Sequence, residues 1–123
     1  MKKVLLVASI MAAAISANAA LVINEIVYDP NGTDTNIEWL ELYNNGGAPI
    51  DASAYTVQLY NGAAATAVVY TTVTLPGVAG SSTTVIPAGG FYVIGAGTFA
   101  PKNQAFAGVT DQLQNGSGDG VIV

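Results

Sequence analysis

Short apolar runs alternate with turn-forming residues along most of the chain. The runs rich in β-branched and aromatic residues are 21–28, 37–43, 55–60, 65–75, 91–94 and 121–123. Between them stand Asn-Gly, Pro-Gly and Gly-Gly pairs, which favour tight turns. Beyond residue 20 no window shows the spacing of an amphipathic helix. The pattern predicts an all-β fold, an antiparallel β-sandwich of short strands.

The 37–43 run has two apolar faces. One face carries Ile37, Trp39, Glu41 and Tyr43, and the other carries Glu38, Leu40 and Leu42. Such a strand suits the interior of a sheet. Because Glu38 and Glu41 point to opposite faces, they cannot form a glycosidase-like carboxylate pair. Glu25 on the preceding run is placed to meet one of them across strands, and we expect these glutamates to accept hydrogen bonds or to face water.

The 55–60 run alternates apolar and polar positions and ends at Asn61-Gly62, a strong hairpin signal. Farther along, 95–100 reads G-x-G-x-x-A behind a strand-like run, as in a dinucleotide-binding turn. After Gly97 the sequence allows about two helical turns before Gly108, too little for the unit of about 30 residues that such a site needs. We therefore interpret this motif as a strand followed by a glycine loop, and we expect no nucleotide cofactor.

The first residues have the features of a secretory signal peptide. Lys2-Lys3 precedes an apolar run, Val4–Ile15, and Ala17-Asn18-Ala19 forms a small-residue cleavage site. The run is shorter than the roughly 20 apolar residues that span a bilayer. We predict a signal peptide at 1–19 and one β-sandwich domain at 20–123, secreted to the periplasm or the exterior with no transmembrane anchor after processing.

The composition excludes several kinds of chemistry. The chain contains no His, Cys or Arg, so an imidazole base, a thiolate nucleophile and an arginine clamp for phosphate are all missing. Removal of 1–19 leaves Lys102 against eight acidic residues, a formal charge of −7. Nucleic-acid binding depends on cationic side chains, so we do not expect it. We predict that the protein is not an enzyme.

Oxygen-bearing side chains are concentrated in the loop between the first two runs. They are Asp29, Asn31, Asp34, Asn36 and Glu38, set around Gly32. Calcium prefers oxygen ligands, but the spacing differs from that of an EF-hand. The loop is either a calcium site or a solvated turn in which Asp and Asn bond to the local backbone. The tyrosines Tyr28, Tyr43, Tyr60 and Tyr70 offer a similar choice: a patch that faces a sugar or a protein partner, or residues at the edge of the core.

Two stretches are similar to a known family. They are LVINEIVYDP at 21–30 and EWLELYN at 38–44, and looser likenesses follow at 49–57, 86–94 and 114–123. Together they resemble a bacterial lamin-tail domain. The resemblance implies an immunoglobulin-like β-sandwich without catalytic residues, often attached to secreted nucleases, phosphoesterases or cell-surface proteins. Nuclear relatives contact DNA and proteins, but the lack of arginine here argues against the DNA contact.

The chain departs from this pattern at its last run, since the family normally continues with a further turn and a returning strand. Residues 121–123 therefore suggest a domain that lacks its final strand, or a piece of a longer protein. Because an unpaired strand edge invites pairing with another chain, we predict self-association through this C-terminal edge.

These observations lead to one functional prediction with two alternatives. We expect an exported, non-catalytic β-sandwich with a structural or protein-interaction role at the cell surface or within a secreted assembly. One alternative is a calcium-dependent adhesion module built on the Asp29–Glu38 loop. The other is an accessory domain of a secreted nuclease or phosphoesterase.

Overall fold

The computed structural model describes residues 21–33, 35–63, 66–75 and 85–123. In these residues the strands are β1 (Leu21–Val27), β2 (Trp39–Asn44), β3 (Ile50–Asp51), β4 (Thr56–Asn61), β5 (Val68–Thr74), β6 (Val85–Ile86), β7 (Phe91–Gly95), β8 (Gln104–Ala105) and β9 (Gly120–Ile122). A single 3₁₀ turn, Ala52–Ala54, is the only helical element in this described part of the chain. The predicted all-β class is confirmed.

Two sheets face each other. One has the order β1-β2-β7-β8 and the other the order β5-β4-β9, while β3 and β6 form a separate two-stranded ladder. The neighbours β7 and β8 run parallel, and the other pairings are antiparallel. Strand β2 lies inside its sheet, between β1 and β7, as its two apolar faces predicted.

The hydrophobic core lies between the two sheets. The four-stranded sheet contributes Leu40, Leu42, Tyr92 and Ile94, and the three-stranded sheet contributes Val57, Leu59 and Val73. A polar link joins the sheets at their edge, because Gln104 accepts a hydrogen bond from the Tyr92 hydroxyl (3.0 Å) and donates one to the Thr74 carbonyl (3.1 Å). Burial of these apolar side chains supplies the main favourable free energy of folding.

The predicted hairpin after 55–60 is present as the antiparallel pair of β4 and β5, in which Asn61 faces Val68. Asp119 ties this hairpin to the turn before β9. One carboxylate oxygen accepts a hydrogen bond from the Gly62 N–H (2.8 Å), and the other accepts one from the Gly116 N–H (2.7 Å). A side chain at Gly62 would collide with the backbone of Gly118, so this close approach requires glycine.

The segment after Gly97 is a loop, as the interpretation of a strand followed by a glycine loop predicts. The two helical turns allowed there are not formed; the segment bends along the sheet and contributes β8. Asn103 fixes it to the edge of β7, since its N–H donates to the Val93 carbonyl (2.8 Å) and its side-chain oxygen accepts from the Val93 N–H (2.7 Å). These bonds between residues ten apart replace the local bonds of a helix.

The last strand, β9, pairs with β4 and stands at the edge of the three-stranded sheet. This is the edge on which the self-association prediction rests. The predicted signal peptide at 1–19 lies outside the described residues. Within the part of the chain that is described, no helix has the length and apolar character to cross a membrane.

Candidate functional site

The outer face of the four-stranded sheet brings together most of its exposed aromatic and acidic side chains. Residues directly opposite on neighbouring strands point to the same side. The strand register therefore places three rows on this face: Val22, Tyr43 and Phe91; Glu25, Glu41 and Val93; Val27, Trp39 and Gly95. We call these residues, together with Phe99, the aromatic face.

Two aromatic pairs stand at opposite ends of this face. Tyr43 and Phe91 have ring centroids 4.9 Å apart, and Trp39 stacks on Phe99 at 5.6 Å with nearly parallel rings. Phe91 is 51% exposed. Because Trp39 and Tyr43 are four residues apart on β2, their Cα atoms are separated by roughly 13 Å. Between the two pairs lies the middle row of this face, formed by Glu25, Glu41 and Val93.

The glycine motif after β7 shapes one end of the aromatic face. A Cβ atom on Gly95 would lie 2.6 Å from Cδ1 of Phe99, so the absence of a side chain lets the Phe99 ring lie over the strand and reach Trp39. Gly97 has a positive φ of 41°, and the Asn36 side chain occupies the space that a Cβ there would need. The two glycines of G-x-G thus serve packing between neighbouring segments.

Glu25 and Glu41 face each other in the middle row, between the aromatic pairs. This confirms the prediction that Glu25 meets a second glutamate across strands. Asn24, the extra residue of a β-bulge, donates to one Glu41 oxygen (2.7 Å). Lys102, the one basic residue after Lys3, instead donates to the carbonyl of Phe99 (2.7 Å). Like charges directly opposite destabilise a sheet.

The outer face of the three-stranded sheet has a different character. Its residues are Thr56, Gln58, Tyr60, Val69, Thr72, Thr74, Gly120 and Ile122, none of which is charged. The Tyr60 hydroxyl donates to the Gln58 side chain (2.9 Å). Of the outer faces of the four-stranded and three-stranded sheets in the described part of the chain, only the aromatic face therefore carries acidic side chains.

The residues of the predicted calcium site are only partly brought together. Asp29 and Asn31 are exposed, and Asp34 lies outside the described residues. The Asn36 oxygen accepts from the Thr98 N–H (3.0 Å). Glu38 is fully buried, and its carboxylate accepts from the N–H groups of Gln112 (2.8 Å) and Leu113 (3.1 Å). Among described residues no three acidic side chains are grouped to hold a metal. Calcium binding stays a prediction, tested by thermal unfolding with calcium and with chelator.

The four tyrosines singled out in the sequence do not form one patch. Tyr43 belongs to the aromatic face, and Tyr60 lies on the outer face of the other sheet. Tyr28 and Tyr70 line a cleft of about 270 Å³ at one end of the sandwich. The cleft is completed by Ile26, Leu113, Gln114, Asn115, Gly116, Asp119, Gly120 and Val121.

Tyr70 organises the wall of this cleft. Its hydroxyl donates to the Gln112 carbonyl (3.0 Å) and accepts from the Gln114 N–H (3.1 Å). Burial raises the pKa of Tyr70 above its usual 10.0, the hydrogen bond from Gln114 works in the opposite direction, and the charges of Asp119 and Glu38 raise it further. The neutral hydroxyl is thus the form that holds residues 112–114.

Stability at high pH is expected to depend on Tyr70. Because the pKa of Tyr70 is raised by folding, its contribution is complete below the pKa of an unfolded tyrosine and is lost as the pH rises through the folded value. Urea unfolding at a series of alkaline pH values should show a steeper loss for the native sequence than for Tyr70→Phe. Tyr60→Phe is the control, and equal slopes for the native sequence and Tyr70→Phe would contradict the expectation.

One comparison with known proteins gives a match. The Lamin Tail Domain family model matches residues 14–123, which include all described residues and both of the stretches 21–30 and 38–44. The match begins inside the predicted signal peptide of 1–19. No curated protein and no solved structure matches the chain.

Proposed function

Since the chain belongs to the lamin tail domain family and folds as a β-sandwich, we propose that it is an exported, non-catalytic module that binds a protein partner. The module acts at the cell surface or within a secreted assembly. Binding uses the aromatic face, and no reaction is carried out on the bound protein.

The observation that supports this role is the pairing of aromatic rings on the outer face of the four-stranded sheet, where the Phe91 ring is exposed and the other three rings are partly buried. Phe91 is half exposed while it is paired with Tyr43, so its ring is held in place before a partner arrives. Rigid aromatic side chains lose little entropy on binding and are enriched at the centres of protein interfaces. Exposed apolar patches of this kind mark interaction sites on soluble domains.

The proposed export follows from the sequence of 1–19 and is tested separately. When the full chain is expressed in a Gram-negative bacterium, we expect a mature protein that begins at Ala20 in the periplasm or the medium. N-terminal sequencing and intact mass of each cell fraction provide the measurement. A full-length chain that stays in the cytoplasm would overturn export.

The binding role is tested by replacing both rings of one pair. The protein made from the full chain is immobilised and exposed to the envelope and secreted fractions of its source organism. The double variant Tyr43→Ser/Phe91→Ser should lose about 30-fold or more in affinity for the retained partner, because two anchor rings are removed. Surface plasmon resonance with the purified partner gives the ratio of the dissociation constants of the double variant and the native sequence.

The matched control is Tyr60→Ser, which removes an aromatic ring from the outer face of the opposite sheet. It should bind the partner like the native sequence. Unfolding curves first establish that the variants are folded. If the aromatic-face variant and the control bind equally well, the aromatic face is not the binding surface and the proposal fails.

A further inference from the structure

We infer that the aromatic face binds a basic polypeptide segment, with an arginine or lysine side chain seated between Glu25 and Glu41 and its apolar neighbours against the two aromatic pairs. This rests on the proposed function and specifies the chemistry of the partner. The argument comes from charge, hydrogen-bonding capacity and spacing on this one face.

The charges in the middle row are unbalanced. Glu25 and Glu41 are directly opposite on neighbouring strands, an arrangement that costs stability because the carboxylates repel each other. Lys102 directs its ammonium group to the Phe99 carbonyl at the end of the face. A cation placed between the two glutamates would remove the repulsion and gain two charge-assisted contacts at once.

The hydrogen-bonding capacity of the glutamates is also largely unused. Each ionised carboxylate accepts through two oxygens and donates nothing. Glu41 accepts from the Asn24 amide, while Glu25 is exposed and accepts no hydrogen bond from another described residue. The face therefore presents several solvent-accessible acceptors, which suit a ligand with several donors. Guanidinium, with five N–H groups in a planar fork, fits this need best, and ammonium with three fits it next.

The aromatic rings flank the glutamates closely enough to help bind the same cation. Trp39 and Tyr43 are two residues to either side of Glu41 on the same face of β2, so the Cα atom of each lies roughly 7 Å from that of Glu41. A cation within about 6 Å of an aromatic ring is attracted to its face. The aliphatic stem of the same side chain, and the apolar residues beside it, would cover Phe91 and Val93.

The charge of the whole domain favours a basic protein over a neutral sugar. The described residues carry Lys102 against seven acidic side chains, and such a field speeds the approach of a cationic partner. A neutral oligosaccharide would gain nothing from this field and would leave Glu25 and Glu41 repelling each other. A basic polypeptide segment is therefore the ligand that fits the aromatic face.

Selection from a random peptide library displayed on phage tests the inference without knowledge of the natural partner. The bait is the folded protein made from the full chain. Peptides selected by the native sequence should be enriched in arginine or lysine with apolar neighbours. The double variant Glu25→Gln/Glu41→Gln should bind those peptides about tenfold more weakly, with no fall in its thermal midpoint.

The control is Asp111→Asn, which removes one negative charge from an exposed loop that lines a pocket with Asn61 and Asp119, none of which belongs to the aromatic face. Its left-handed backbone, with φ of 50°, also suits asparagine. This variant should select and bind the same peptides as the native sequence. The inference would be overturned if Asp111→Asn weakened peptide binding as much as Glu25→Gln/Glu41→Gln does. It would also be overturned if the selected peptides contained no basic residues.

Two further outcomes separate this inference from the proposed function. If the natural partner is lost by Tyr43→Ser/Phe91→Ser but retained at full affinity by Glu25→Gln/Glu41→Gln, the interaction role stands and the basic segment is wrong. If isothermal calorimetry shows that cellohexaose binds the native sequence and not Trp39→Ser, the occupant is a carbohydrate and both proposals fail.

Discussion

Replacing Glu38 with leucine is expected to lower the free energy of unfolding by about 3 kcal/mol, because two buried backbone donors lose their acceptor. Glu38 is fully buried, and its two oxygens accept from the N–H groups of Gln112 and Leu113 across the fold. Each orphaned donor costs roughly 1–3 kcal/mol. Removal of the buried carboxylate relieves part of its desolvation cost, which keeps the net effect below the sum.

A series of substitutions separates hydrogen bonding from packing. In Glu38→Gln one amide oxygen still accepts, so the loss should be about half that of Glu38→Leu. Glu25→Leu is the matched control on the neighbouring strand, where removal of an exposed like charge opposite Glu41 should leave stability unchanged or raise it. Urea unfolding gives the free energies. Similar losses in Glu38→Leu and Glu25→Leu would contradict the role of Glu38.

Strand β2 serves the core and the surface at the same time. Its inward-facing residues are Leu40, Leu42 and Asn44, preceded by the buried Glu38, and its outward-facing residues are Trp39, Glu41 and Tyr43. The first set holds distant loops in place, and the second forms the centre of the aromatic face. One short motif of the family, EWLELYN at 38–44, thus contributes both to the fold and to the proposed interaction.

The alternation along β2 was visible in the sequence because side chains of a strand alternate with a fixed period. It was enough to predict an interior strand and to place Glu38 and Glu41 on opposite faces. The meeting of Glu25 with one of these two glutamates was predicted only from its place on the neighbouring run, and the register shows that its partner is Glu41. The longer strands were also predicted from their β-branched and aromatic residues. These are local signals, and local signals survive folding when the tertiary contacts agree with them.

The partners of the buried polar residues were not visible in the sequence. Glu38 accepts hydrogen bonds from Gln112 and Leu113, which are 74 and 75 residues away in the sequence. No local sequence pattern indicates contacts between residues so far apart. The two-residue strands β3, β6 and β8 are too short to show a period. The Tyr43–Phe91 pair of the aromatic face needed the register between β2 and β7, which a single sequence does not contain.

Asn44→Asp is expected to destabilise the protein by about 4 kcal/mol at neutral pH, because it places a carboxylate where the fold requires a donor. Asn44 is fully buried, and its amide nitrogen donates to the carbonyls of Ala48 (2.8 Å), Ile86 (3.0 Å) and Pro87 (3.1 Å). Its oxygen accepts from the Gly46 N–H (2.9 Å). The substitution preserves shape but turns the donor into an acceptor facing three carbonyl oxygens.

The loss of stability in Asn44→Asp should increase as the pH rises. Burial and the facing carbonyls raise the pKa of the introduced carboxyl group in the folded state. Stability of the variant is then highest below the pKa of the unfolded carboxyl and falls as the pH rises through the folded value. Thermal unfolding from acidic to neutral pH should show the gap between the variant and the native sequence widening.

The neighbouring substitution Asn45→Asp provides the control, because Asn45 is exposed and the change in charge is identical. It should alter the midpoint only slightly at every pH. A gap for Asn44→Asp that stays constant with pH would mean that the introduced carboxylate escapes to solvent. In that case the end of β2 would be joined to the 86–90 turn by contacts other than those between Asn44 and the three carbonyls.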